Sequence, residues 1–290
     1  MGTSSAFGGP AGNTPLVPSW LEPEGNISTA SGLNGTAAPD GPIPPGPVPQ
    51  PLPPLPPSAD PGRFTIARTN LTHFASSGGQ DRASLGRAVS TYVNTSMGGS
   101  RMASAHMGAS RIVGGRLFSF LSDAVSKGSH EALRSLNLEE LAGRPIEQVF
   151  VGLSDFLCPQ GGSIDEGIAR AAFIETITEL AASGVANLDG LTTDQMQIVF
   201  ELYATNAIEG RLCNDIGAKI VIMPSDADKA SRVQEQLHDF IRRSVADALS
   251  KSPAAPSALT PDSVFAFVGN IYEHAFEILR IMGETEAETK

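Results

Sequence analysis

Beyond residue 81 the apolar side chains recur mostly at helical spacing, whereas the first sixty or so residues show no regular period. Leu85, Ala88, Val89, Tyr92 and Val93 predict a helix that Asp81 caps and Gly98-Gly99 ends. Ser100 to Lys127 predicts one or two further helices, with glycines that permit close backbone packing. Three later starts pair a capping hydroxyl with an acid or amide three residues on: Ser163 with Glu166, Thr192 with Gln195, and Ser225 with Asp228. Leu191 and Met196 flank the second start as a hydrophobic staple. Pro145 and Pro261 read as first-turn prolines. Three apolar stripes follow: Ile168, Ala172, Ile174, Ile177 and Ala181; Met196, Val199, Phe200 and Tyr203; and Val264, Val268, Ile271, Ala275, Ile278 and Met282. Residues 63–81 read as a transition and 251–260 as a loop. Ile220-Val-Ile222 is the one strand-like run, too short to make a sheet.

These patterns predict a mainly α protein with a disordered Pro/Gly-rich N-terminal arm followed by a multi-helix, bundle-like body. Residues 1–62 are built from Gly, Pro, Ser, Ala and Thr and include Pro51-Leu-Pro-Pro-Leu-Pro-Pro57, a polyproline II sequence. Such a segment buries too little apolar surface to offset its ordering entropy. Within it, Pro15-Leu-Val-Pro-Ser-Trp-Leu21 carries the single tryptophan of the chain. Trp20 and Leu21 are either a docking peptide, since Trp is enriched at interface hot spots, or a chance apolar cluster.

Charge divides the body. The chain carries a net −11, which argues against general nucleic-acid binding. Residues 63–134, however, hold nine basic and three acidic side chains, and 135–290 hold 11 and 24. The expected organisation is therefore an arm over 1–62, a basic helical segment over 63–134 and an acidic helical domain over 135–290 packed with it. Arg101, Arg111 and Arg116 are the candidate basic contacts, for nucleic acid, for an acidic partner or for the chain's own acidic half. They do not form one helical face.

Candidate chemistry is sparse. Cys158 and Cys213 are too few for a disulfide framework or a thiolate zinc site, and a reducing cytoplasm is the expected compartment. No run approaches the roughly 18 apolar residues of a membrane span. The five histidines are scattered; Glu235 and His238 have one half of the spacing used in di-iron bundles, and a solvated helix face is the plainer reading. Glu175 and Glu179, like Glu139 and Glu140, read as surface carboxylates. No phosphate-cradling glycine motif follows a strand. The expectation is no catalytic residue, no metal and no cofactor.

The N-terminus is chemically distinctive. Removal of Met1 ahead of Gly2 exposes an unhindered α-amine with a pKa of about 7.7–8.0, partly neutral and nucleophilic near pH 7. No lysine precedes Lys127, so an enzyme gripping the arm meets a single amine. Many chains begin Met-Gly without consequence, and the residues alone leave both readings open.

The opening Met-Gly-Thr-Ser with Gly8-Gly-Pro10 and Pro15 to Leu21, the block Ser84-Leu-Gly-Arg87, Gly108-Ala-Ser-Arg111, the segment Cys158 to Arg170, and Leu212-Cys-Asn-Asp-Ile-Gly217 together resemble the QatB family of anti-phage defence proteins. The resemblance implies a non-enzymatic member of a four-component system with an ATPase, a QueC-like enzyme and a TatD-like nuclease as partners. It also implies that the QueC-like enzyme joins a deazaguanine to the N-terminal glycine, here Gly2, and that the body acts as a scaffold. The alternative is a helical module that contacts nucleic acid or the ATPase through its basic segment.

Overall fold

Local capping chemistry sets several of the helix starts. In this computed structural model, which describes residues 62–158, 162–180, 187–217, 224–252 and 261–288, ten α-helices account for most of the described chain. They are α1 Thr65–Ser76, α2 Arg82–Thr91, α3 Ser100–Ala105, α4 Gly108–Lys127, α5 Ser129–Arg134, α6 Ile146–Leu157, α7 Ile164–Leu180, α8 Thr193–Ile216, α9 Ala227–Ser250 and α10 Pro261–Glu288. Asp81 caps α2 by accepting from the Ser84 backbone N–H at 3.0 Å. Thr192 and Gln195 form a reciprocal capping box at the start of α8, and Ser163 and Glu166 do the same before α7.

Two starts differ from the sequence reading. Residues 63–81 are not merely a transition, because α1 forms there and buries Ala67, Leu71, Phe74 and Ala75. At α9 the cap is Asp226 rather than Ser225: its carboxylate accepts from the backbone of Asp228 and Lys229. A carboxylate is the stronger acceptor for the partial positive charge at a helix N-terminus.

The helix read from Asp81 onward changes pitch at its end. Residues Tyr92–Ser96 form a π-helical segment, and Gly98 and Gly99 then adopt φ of 81° and 100°, a region that glycine enters without strain. Among the described residues the only strand-type pairing is an isolated antiparallel bridge between Pro145 and Asn187. No helix of the described residues is long and apolar enough to cross a membrane. Gly2, Trp20 and Leu21, the rest of residues 1–61, Ala181, and Ile220 to Ile222 lie outside the described residues.

The helices α1 to α10 form one compact unit. α10 packs against α2, α3, α4 and α9, while α8 packs against α4, α7 and α9. Val264, Val268, Ile271 and Ala275 are buried as their spacing predicts, and Ile278 and Met282 are partly buried against the core. Met196, Val199, Phe200 and Tyr203 are buried on α8. On α7 the inward face is instead Ala169, Ala172, Phe173, Thr176 and Leu180, and Ile174 is half exposed. Phe173 stacks on Phe150 of α6 at 5.5 Å. Phe118 sits between Phe200 and Phe267, with centroids 5.3 and 5.1 Å away. Each fully buried Phe or Leu contributes about 1.5–3 kcal/mol relative to exposure, so this aromatic layer joins α4, α6, α7, α8 and α10.

Candidate functional site

Helices α7, α8 and α9 line a groove with a volume of about 1010 Å³. Part of its lining is apolar and small: Ile164, Gly167, Ile168 and Ala171 come from α7, and Gly210 and Cys213 from α8. A Cβ placed on Gly167 would meet nothing within 4 Å. The rest of the lining carries Glu175 and Glu179 on α7, Glu209 on α8, and Glu235 and Asp239 on α9. No Lys or Arg is among the lining residues.

His238 joins the three helices. Its Nδ1 lies 2.8 Å from Glu209 Oε2 and its Nε2 3.9 Å from Glu179 Oε2. The hydrogen bond to Glu209 raises the imidazole above its ordinary pKa of 6.5; burial opposes the shift, and the charges of Glu209 and Glu179 add to it. The sequence reading of His238 and Glu235 as a solvated helix face holds for the exposed Glu235 and needs correction for His238, which is partly buried and engaged. Glu175 is exposed, as the sequence reading has it, and Glu179 is partly buried; both line the groove. No local spacing announces this, since Glu179, Glu209 and His238 are about thirty residues apart and meet only through packing.

The groove has little nucleophilic chemistry. Burial pushes the Cys213 thiol up to about 12, and Cys158, away from the groove, up to about 11, so neither is a thiolate at neutral pH. Among the described residues no set of three or more His, Cys, Asp or Glu is arranged to hold a metal ion.

The candidate basic contacts do not converge. Arg101 is exposed on α3. Arg111 turns its guanidinium against Gly269 of α10, with a buried Nε that has no hydrogen-bond partner among the described residues. Arg116 donates from Nη1 to the Leu157 carbonyl at the end of α6, at 3.1 Å. Elsewhere in the basic segment, Arg68 donates to the Ile216 carbonyl at 2.6 Å and Arg82 pairs with Glu286 at 2.5 Å. Much of the positive charge is therefore spent on contacts within the body.

The family model described as Qat anti-phage system associated protein QatB matches residues 98–279. That span runs from the glycine pair before α3 through most of α10 and includes every residue of the groove. No curated protein and no solved structure matches the chain.

Proposed function

The chain belongs to the QatB family and so to a component of the Qat anti-phage system, and from that premise we propose that it works there as a protein substrate and scaffold rather than as a catalyst. In this reading a QueC-like partner joins a deazaguanine to Gly2: the exposed α-amine attacks the activated carboxyl carbon of the base that the partner supplies, the C–N amide bond forms as the bond to the activating group breaks, and the amine gives up a proton as that group leaves. The helical body then engages other members of the system, its ATPase or TatD-like nuclease.

The family match over 98–279 carries the reading. Two features support it further. The first 126 residues contain no lysine, which leaves the N-terminal amine as the one aliphatic amine in reach of an enzyme holding the arm. In the body, Arg68, Arg111 and Arg116 are committed to backbone or core contacts, which favours a protein-binding role over phosphate contact.

The test is the mass of the intact protein and of its N-terminal peptide, expressed alone and beside the QueC-like enzyme. The expected result is a partner-dependent mass gain on Gly2, with loss of phage protection in a folded Gly2→Pro variant. An unmodified glycine beside an active QueC-like enzyme, or full protection by Gly2→Pro, overturns the substrate reading.

A further inference from the structure

We propose that the groove between α7, α8 and α9 is a docking surface for a cationic, amphipathic α-helix of a partner protein. The inference deepens the scaffold half of the proposed function by naming the surface and the partner's chemistry. It does not depend on Gly2.

Charge complementarity selects the occupant. Five carboxylates line the groove, and its only side chain able to carry positive charge is His238, which is already engaged by Glu209 and Glu179. Their positions also match a helix. Glu175 and Glu179 stand one turn apart on α7, and Glu235 and Asp239 one turn apart on α9. Residues at i and i+4 lie about 6 Å apart on a helix, so basic side chains at that spacing on a seated helix match the acid pair of α7 or of α9.

The apolar lining explains why a helix rather than a small polyamine fits. Ile164, 69% exposed, and Ile168 present apolar surface beside the small Gly167, Ala171 and Gly210. A polyamine would satisfy the carboxylates and leave that apolar surface wet. An amphipathic helix covers it, in the groove-binding mode in which apolar anchors sit between polar flanks. From Gly167 to Glu179 the α7 side of the groove spans twelve residues, about 18 Å at 1.5 Å per residue, enough for about three turns of a guest helix.

The probe is a fluorescein-labelled amphipathic peptide of Leu and Lys, about 14 residues long so that it can form a helix, titrated with the full chain by fluorescence anisotropy. Rim charge pairs contribute about 0.2–1 kcal/mol each, so the triple variant Glu175→Gln, Glu179→Gln, Glu235→Gln is expected to weaken binding about tenfold. The same charge change at residues that do not line the groove, Glu139→Gln, Glu140→Gln, Glu288→Gln, is expected to leave it within about twofold, since salt screens charges that make no direct contact with the peptide. Gly167→Trp puts bulk into the groove without altering charge and is expected to weaken binding as well. Circular dichroism confirms that each variant is folded. Equal losses in the two triple variants, unchanged binding in a folded Gly167→Trp, or equally tight binding of a scrambled peptide that lacks an apolar face overturns the proposal. Displacement of the peptide by equimolar spermine also overturns it, by showing a polyamine site. None of these results bears on whether Gly2 is modified, so failure here is distinct from failure of the substrate reading.

Discussion

Gly86 of α2 and Gly283 of α10 meet at backbone contact. A Cβ on Gly283 would lie 2.7 Å from the Gly86 carbonyl oxygen and 3.0 Å from the Ser90 backbone nitrogen, and one on Gly86 would lie 2.5 Å from the Gly283 carbonyl oxygen. The obstacles are backbone atoms of two helices, which cannot swing aside as a side chain does. Gly283→Ala and Gly86→Ala therefore force α2 and α10 apart. Overpacking of this kind costs about 1–3 kcal/mol, and each variant is expected to lower the midpoint of urea unfolding accordingly. Gly108→Ala, where an added Cβ meets nothing within 4 Å, is the control and is expected to be neutral or slightly stabilising.

A second prediction concerns the ion network that ties α8 to α7 and to the π-helical segment. Arg211 pairs with Asp165 of α7 and, at 2.9 Å, with Asp215, whose carboxylate also accepts from the Tyr92 hydroxyl at 2.9 Å. The Arg211 and Asp215 side chains are only 12% and 8% exposed. Removing one member of a buried pair leaves an uncompensated charge and costs about 3–5 kcal/mol. Arg211→Met is thus expected to be strongly destabilising by thermal or urea melts. Arg170→Met, which breaks an exposed pair with Asp155, is expected to change stability by about 0–1 kcal/mol.

The sequence made local features legible and long-range ones opaque. Asp81 and Thr192 could be read as caps because cap and recipient lie within three residues, and the stripe from Met196 to Tyr203 because one helix face carries it. Helix α1 escaped because its buried Ala67, Leu71, Phe74 and Ala75 are interleaved with Thr69, Asn70 and Thr72 and carry no capping side chain at Phe64. At α9, adjacent Ser225 and Asp226 can both cap, and only the backbone geometry distinguishes them. Ile174 looked like a core position by spacing, yet the face of α7 that meets α6 and α8 is set by Phe173 and Thr176. The groove was hidden for a different reason: its acid pairs were visible, but nothing in the sequence places α7 opposite α9.

A third prediction separates two buried tyrosines. Tyr203 donates to the Ser110 carbonyl at 3.0 Å, whereas the Tyr272 hydroxyl is buried with no hydrogen-bond partner among the described residues. Losing a satisfied bond costs about 0.5–1.5 kcal/mol, while an unsatisfied buried hydroxyl itself costs about 1–3 kcal/mol. Tyr203→Phe is expected to lower stability, and Tyr272→Phe to leave it unchanged or raise it. Urea melts of the two variants in parallel decide the matter, and a clear loss in Tyr272→Phe would show that its hydroxyl has a partner such as a buried water.

The last prediction follows the charge on His238. Facing it are Glu209 and Glu179, which favour the imidazolium, and Arg242, which opposes it. Its folded pKa is raised above the ordinary 6.5. A raised folded pKa means that the native state holds the proton more tightly than the unfolded chain. The resulting stabilisation is fully present below pH 6.5 and is lost as pH rises through the folded value. Glu209→Gln removes the main cause, so the NMR titration of the His238 ring is expected to move down towards 6.5. The decline in stability from His238 above that pH is expected to shrink in the same variant. Because deprotonation leaves Glu179 and Glu209 facing each other across a neutral ring, the groove also gains negative charge in that window. An unchanged His238 titration in a folded Glu209→Gln protein would show that the 2.8 Å contact is not what holds the proton.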